Sequence, residues 1–192
     1  MAKGRNWLWA ATGGAFVLLL SAAVGLIVVE TGAYDVAATR AHAPLTRWAL
    51  DTTMRNSVER QAADLRPPER FTPEMIAAGA GEYQAMCAQC HGGPGIERDE
   101  WAQDMRPLPP RLTEAADDWR PRELFWIAKH GIRMTGMPAF GPTHDDATLW
   151  NIAGFVDRLP GMTAAQYAAF ATDDGEAEAG DAASHGDHAH TH

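Results

Sequence analysis

The tightest constraint on this chain is the run Cys87-Ala88-Gln89-Cys90-His91. Its 2 cysteines are the only ones in 192 residues, which makes a disulfide framework a poor explanation of the chain. A bare C-x-x-C pair can serve as a redox dithiol or as half of a zinc site. The zinc reading lacks a second cysteine pair, and the dithiol reading gives the adjacent histidine no task. The C-x-x-C-H form suits covalent attachment of haem: the two thiols add across the vinyl groups, and the histidine is carried beneath the iron. The motif predicts one covalent haem c, with Cys87 and Cys90 as its anchors and His91 as the proximal iron ligand.

Haem iron that only transfers electrons favours a sixth protein ligand, because a filled coordination shell limits reorganisation and excludes outside ligands; methionine suits a high potential. Met137 is the best candidate. It sits in Gly136-Met137-Pro138, where proline stiffens a loop that must return a thioether to the metal. Met134 competes by proximity, Met162 follows the last helix and suits packing, and His130 suits the last turn of a helix, where positive charge is tolerated.

The amino end carries the second clear signal. Lys3 and Arg5 precede an uncharged run from Asn6 to Val29, with Glu30 and Asp35 beyond it. The run is long enough to cross a bilayer as a helix. It continues past the small-residue site at Ser21 to Ala23, so a retained anchor is favoured over a cleaved signal peptide. Positive charge before the span places the amino end in the cytoplasm and the haem outside.

Between anchor and haem motif, Leu50, Met54, Val58, Ala62 and Leu65 recur at helical spacing until Pro67 and Pro68, predicting a helical spacer or a docking helix. Thr72 and Pro73 form a helix start, and that helix can run to about Cys87. Gly79, Tyr83 and Cys87 share one face, suited to close approach by the final helix. That helix is expected from Thr143, capped by its hydroxyl with Asp146 in the capping-box position. Leu149, Ile152, Phe155, Val156 and Leu159 form its apolar side, and Gly154 is expected to relieve crowding at the crossing. A short helix over Pro121 to Lys129 should turn Leu124, Phe125 and Ala128 inward and stop at Gly131. No sheet emerges, and the expected fold class is all-α. After Phe170 the chain loses periodic apolar residues and is expected to be disordered. The implied organisation is residues 1–33 anchor, 34–70 spacer, 71–170 haem domain and 171–192 acidic, His-rich tail.

Charge narrows the partners. The formal net charge is -9, which disfavours nucleic acid, since phosphate binding needs a concentrated basic surface. Asp173, Asp174, Glu176, Glu178, Asp181 and Asp187 lie in the tail, so the rest is only mildly acidic. Arg111, Arg120, Arg122 and Trp126 are donors apt for haem propionates, although surface or half-buried packing is the plainer role for each. His185, His188, His190 and His192 could bind a metal, but a flexible polar tail is the safer reading.

The attachment motif, the Gly79/Tyr83 spacing before it, Gly136-Met137-Pro138-Ala139-Phe140 after it and the apolar closing helix together resemble the class I monohaem cytochrome c family, over roughly Phe71 to Pro160. The closest likeness is to the domain in haem subunits of some oxidases and dehydrogenases. The resemblance implies a class I cytochrome c fold in which first and last helices cross, here with an added N-terminal transmembrane helix. It also implies a backbone carbonyl from a proline loop orienting the proximal imidazole; Pro107 to Pro110 could hold that loop, without a choice of residue. The lysine-rich surface of mitochondrial carriers is missing. The expected protein is no enzyme but a single-electron carrier on the bacterial cytoplasmic membrane, its haem domain periplasmic. Its partners would be respiratory or periplasmic dehydrogenase donors and an oxidase or other acceptor. A fixed haem subunit of a membrane complex and a haem-based ligand sensor are the alternatives.

Overall fold

A computed structural model describes residues 2–170, so the tail and its histidines lie outside the described residues. Every regular element among the described residues is helical, and the sole β contact is an isolated bridge between Gly93 and Ile96. The chain divides into two compact units, residues 1–40 and 41–192.

The first unit is α1, Ala2–Thr31. Residues Trp9–Thr31, 23 in number, are apolar enough to cross a membrane, and none of this stretch is buried within the protein. At 1.5 Å per residue they extend about 35 Å, enough for a hydrocarbon core of about 30 Å. The Thr31 hydroxyl donates to the Ile27 carbonyl at 2.6 Å, and Gly32, with φ +64°, ends the helix.

The second unit begins with α2, Pro44–Gln61. Of the expected stripe, Val58 and Ala62 are buried, Met54 and Leu65 are half-buried and Leu50 is exposed. The helix therefore packs through its carboxyl-terminal half only. Arg55 bonds Asp118 at 3.1 Å and lies over the Trp119 ring, while the Arg122 guanidinium donates to the Ala63 carbonyl at 3.3 Å.

Helix α3, Pro73–Glu82, starts as its sequence predicts, with the Thr72 hydroxyl accepting from the Met75 N–H. It passes without a break into a π-helical turn, Tyr83–Cys87, and then α4, Ala88–His91. Short α5, Glu100–Gln103, and α6, Leu112–Ala115, occupy the connection to α7, Pro121–His130. Leu124, Phe125 and Ala128 of α7 are buried, as their spacing requires. The closing helix α8 spans Asp146–Val156.

Helices α3 and α8 cross where Gly79 meets the Asn151 backbone; a Cβ on Gly79 would lie 2.0 Å from the Asn151 carbonyl oxygen. The glycine expected to serve that crossing from the other side, Gly154, instead leaves room for the Phe71 ring. The α8 cap also differs from expectation. Asp145, not Thr143, accepts from the Thr148 N–H at 2.8 Å, and Asp146 pairs with Lys129. The Thr143 hydroxyl is taken up locally by the Phe140 carbonyl, because the preceding loop turns back onto α7 and delays the helix start.

A further helical stretch over residues 164–170 was not anticipated. Its sequence signal is a capping box, Thr163-Ala164-Ala165-Gln166: Thr163 N–H donates to Gln166 Oε1 at 2.8 Å and Gln166 N–H to Thr163 Oγ1 at 3.2 Å. The stretch delivers Tyr167 into the core beside Tyr83 and Phe155, with ring centroids 6.3 and 6.1 Å away. Tyr83 is buried, and its hydroxyl donates to the Gly92 carbonyl at 2.7 Å, tying the α3/α8 core to the end of the cysteine motif.

Candidate haem site

A π turn carries the chain into the cysteine motif. Its Ala88 N–H bonds back to the Tyr83 carbonyl, and one residue more per turn than an α-helix offsets the chain there, a feature common at functional sites. Cys87 closes the turn and Cys90 and His91 occupy the next. Glycine must then end the helix: Gly92 has φ +68°, and a Cβ there would lie 2.7 Å from the Ile96 carbonyl oxygen. The chain folds back over the motif, with Asp99 N–H donating to the Gln89 carbonyl at 2.9 Å.

Both cysteines are free and half-buried. Burial, reinforced by Cys90 and Glu82, pushes the Cys87 thiol up to about 12. Burial also raises the Cys90 thiol, with Asp99 adding and Arg98 opposing. Reactive dithiols and zinc ligands need the thiolate, which low-pKa sites favour. Burial works against the thiolate at both positions, which does not suit a reactive dithiol or a zinc site.

His91 Nδ1 lies 2.8 Å from the Pro110 carbonyl oxygen. Since a carbonyl only accepts, Nδ1 carries the proton and Nε2 keeps its lone pair. Burial lowers the imidazole pKa, against the hydrogen bond to Pro110, which raises it, and with Arg98, which lowers it further. The ring is therefore neutral at neutral pH, the form that binds metal. Pro110 is the member of the Pro107 to Pro110 loop that spacing alone did not select.

Met137 is placed by the far end of α7. Gly131, with φ +64°, turns the chain so sharply that a Cβ there would meet the Met137 and Pro138 backbone. Ile132 N–H donates to the Met137 carbonyl at 3.3 Å, and Met137 N–H to Thr135 Oγ1 at 3.1 Å. Phe140 and Gly141 N–H groups then donate to the Ala128 and Lys129 carbonyls, satisfying acceptors that a helix end leaves open. The result is a pinned loop with Met137 half-buried. Met134 is 86% exposed and Met162 packs on the core. His130 is exposed, its ring against Trp126.

A methionine that the sequence reading passed over joins the two sides. Gly136 abuts the Met105 methyl group, so close that a Cβ at 136 would lie 2.0 Å from it. Met105 precedes the proline loop, so the loop bearing Met137 touches the segment that leads to the His91 acceptor. Arg111 pairs with Glu97, and Arg120 and Arg122 line a polar cavity of about 380 Å³ with Asn56, Glu59, Arg60 and Glu123. Trp119 is covered by Arg55, and the Trp101 indole donates to Asp99 at 3.2 Å.

Residues 74–156, from the first turn of α3 to the end of α8, match the family described as cytochrome c oxidase, cbb3-type, subunit III. This stretch is a c-type haem-binding domain similar to that oxidase subunit. No match is found among curated proteins. The Cys87, Cys90 and His91 arrangement is that of haem c attachment, and a His91 ring whose Nδ1 is taken by the Pro110 carbonyl, leaving Nε2 for a metal, fits the group. The similarity is to a cytochrome c oxidase subunit, and among the described residues no group of three or more His, Cys, Asp and Glu side chains is placed to hold a metal ion. The domain is joined in one chain to an apolar helix long enough to span a membrane, which makes this a membrane-associated haem protein.

Proposed function

We propose that the protein is a membrane-anchored single-electron carrier, with residues 1–33 the anchor, 34–70 a helical spacer and 71–170 the haem domain. The amino end lies in the cytoplasm and the haem domain on the opposite, periplasmic side of a bacterial cytoplasmic membrane, following the position of Lys3 and Arg5. The observation that carries the reading is the hydrogen bond from His91 Nδ1 to Pro110, made within a C-x-x-C-H motif in a domain similar to an oxidase subunit.

When bound, the haem would supply one-electron redox chemistry. Cys87 and Cys90 would hold it as thioethers, and His91 Nε2 and the Met137 sulfur would be the protein's donors to its iron. The Pro110 carbonyl fixes the imidazole tautomer and strengthens its donation. The apolar core of α3, α7 and α8, against which Cys87 packs, would limit the solvent that must reorganise when charge changes. No acid, base or nucleophile is required. Electrons arrive from a respiratory or dehydrogenase donor and leave to an oxidase or other acceptor.

Fixed membership of an oxidase complex is the second reading. The family match favours it, as does α2, whose Leu45 and Trp48 face solvent. Purification from membranes in mild detergent, with mass measurement and a reduced-minus-oxidised spectrum, tests both. The carrier predicts the mass of one covalent haem, a six-coordinate spectrum and a monomer; a stoichiometric oxidase partner moves the assignment to the complex. Rapid carbon monoxide binding by the unmodified reduced protein would overturn Met137 as ligand and support a ligand sensor.

A further inference from the structure

The loop that orients the proximal imidazole has its own fastening. Pro107, Pro109 and Pro110 have no backbone N–H, so this segment offers its neighbours little besides carbonyl oxygens. The Pro110 carbonyl is taken by His91. The preceding carbonyl, that of Pro109, accepts from Nη1 of Arg98 at 2.5 Å. Arg98 is 8% exposed, and an arginine is seldom so buried unless paired. The Pro109 carbonyl is the partner to which its guanidinium is bonded.

Arg98 is itself well fixed. The Gln103 side-chain amide donates to its carbonyl at 3.4 Å, and the next residue, Asp99, is bonded through its N–H to Gln89 inside the cysteine motif. The guanidinium thus connects the return loop of the motif to the proline loop. The Pro109–Pro110 peptide is planar and the ring locks φ at Pro110. Fixing the Pro109 carbonyl therefore limits where the Pro110 carbonyl can go.

We propose that Arg98 is a positioning residue that holds the Pro109–Pro110 segment so that the Pro110 carbonyl stays on His91 Nδ1–H, and through it sets the donor strength of His91 toward iron. This rests on His91 being the proximal ligand. A firmly hydrogen-bonded imidazole is the stronger donor and stabilises ferric iron, so loosening the bond raises the reduction potential. Removing a nearby positive charge acts the other way. Arg98→Lys keeps the charge but loses the planar fork, while Arg98→Met loses both.

The test uses the full haem-loaded chain in detergent, with nuclear magnetic resonance of the His91 ring and a redox titration. Exchange of the His91 Nδ1 proton with solvent is expected to accelerate about fivefold to tenfold in Arg98→Met, the consequence of losing one hydrogen bond. Arg98→Lys should fall between that variant and the parent, with a potential above the parent's. Parent-like exchange and ring shifts in folded Arg98→Met would overturn the proposal. If that variant fails to acquire haem, Arg98→Lys decides, and parent-like exchange and potential there overturn it equally. Absence of iron-shifted His91 ring signals in the unmodified protein would overturn the ligand assignment itself, a separately visible failure.

Discussion

Gly79→Ala tests how the haem-bearing segment is held, because α3 runs directly into the turn that ends at Cys87. The added carbon would lie 2.0 Å from the Asn151 carbonyl oxygen, 2.4 Å from its carbon and 3.0 Å from the Ile152 nitrogen. Ordinary contact begins near 3.4 Å, so α3 and α8 must part by more than 1 Å or tilt. Backbone atoms of a packed helix cannot swing aside, which puts the cost at or above the upper end of about 1–3 kcal/mol for overpacking. Alanine recovers about 1 kcal/mol of helix propensity over glycine. A net loss of about 2 kcal/mol remains, which for a domain of roughly 100 residues lowers Tm by about 8–16 °C. Thermal unfolding of the haem-loaded protein, followed by far-ultraviolet circular dichroism, measures this. Gly154→Ala is the comparator: its added carbon meets the Phe71 ring, a half-buried side chain that can turn, and the expected fall is smaller. A Gly79→Ala protein melting within about 2 °C of the parent would refute the close crossing.

Met137→Ala is expected to lower the potential, remove the thioether-to-iron absorption band and open the reduced protein to carbon monoxide; an unchanged spectrum excludes Met137 as ligand. The Tyr167 hydroxyl is buried with no hydrogen-bond partner, so Tyr167→Phe should leave stability unchanged or raise it by about 1 kcal/mol in urea unfolding, whereas a clear loss would point to a bonded hydroxyl. Asp145→Ala removes the α8 cap and should lower Tm at pH 7. Hydrogen bonds from Thr148 hold the Asp145 carboxyl below its ordinary value of 3.8. Its stabilising effect is thus present above 3.8 and lost as pH falls through the folded value, so parent and variant melting temperatures should converge in acid and stay apart at neutral pH.

The local features were legible from residue type and short spacing. Thr72 caps α3 and Gly131 ends α7 because an N-terminal acceptor and a left-handed turn are needs met within a few residues. The α8 start was misread by two residues because Thr143 and Asp145 are both capable caps, and the choice depends on how far the methionine loop is drawn onto α7. The helix over 164–170 was passed over although its capping box is readable. What orders it is Tyr167 packing against Tyr83 and Phe155.

By itself the sequence determined the chemistry and the broad class: two thiols and a histidine at attachment spacing, an uncharged stretch long enough for a bilayer, and apolar periodicity that could only be helical. Those properties are written in neighbouring side chains. Tertiary structure alone decided that Pro110 is the carbonyl on His91, that Arg98 grips Pro109, that Met105 meets Gly136 and that Asn151, not Gly154, faces Gly79 where the helices cross. Each of these joins backbone or side-chain atoms from separate segments, and a carbonyl group is the same at every residue. Which one is used depends on the path of the folded chain and not on the letters that encode it.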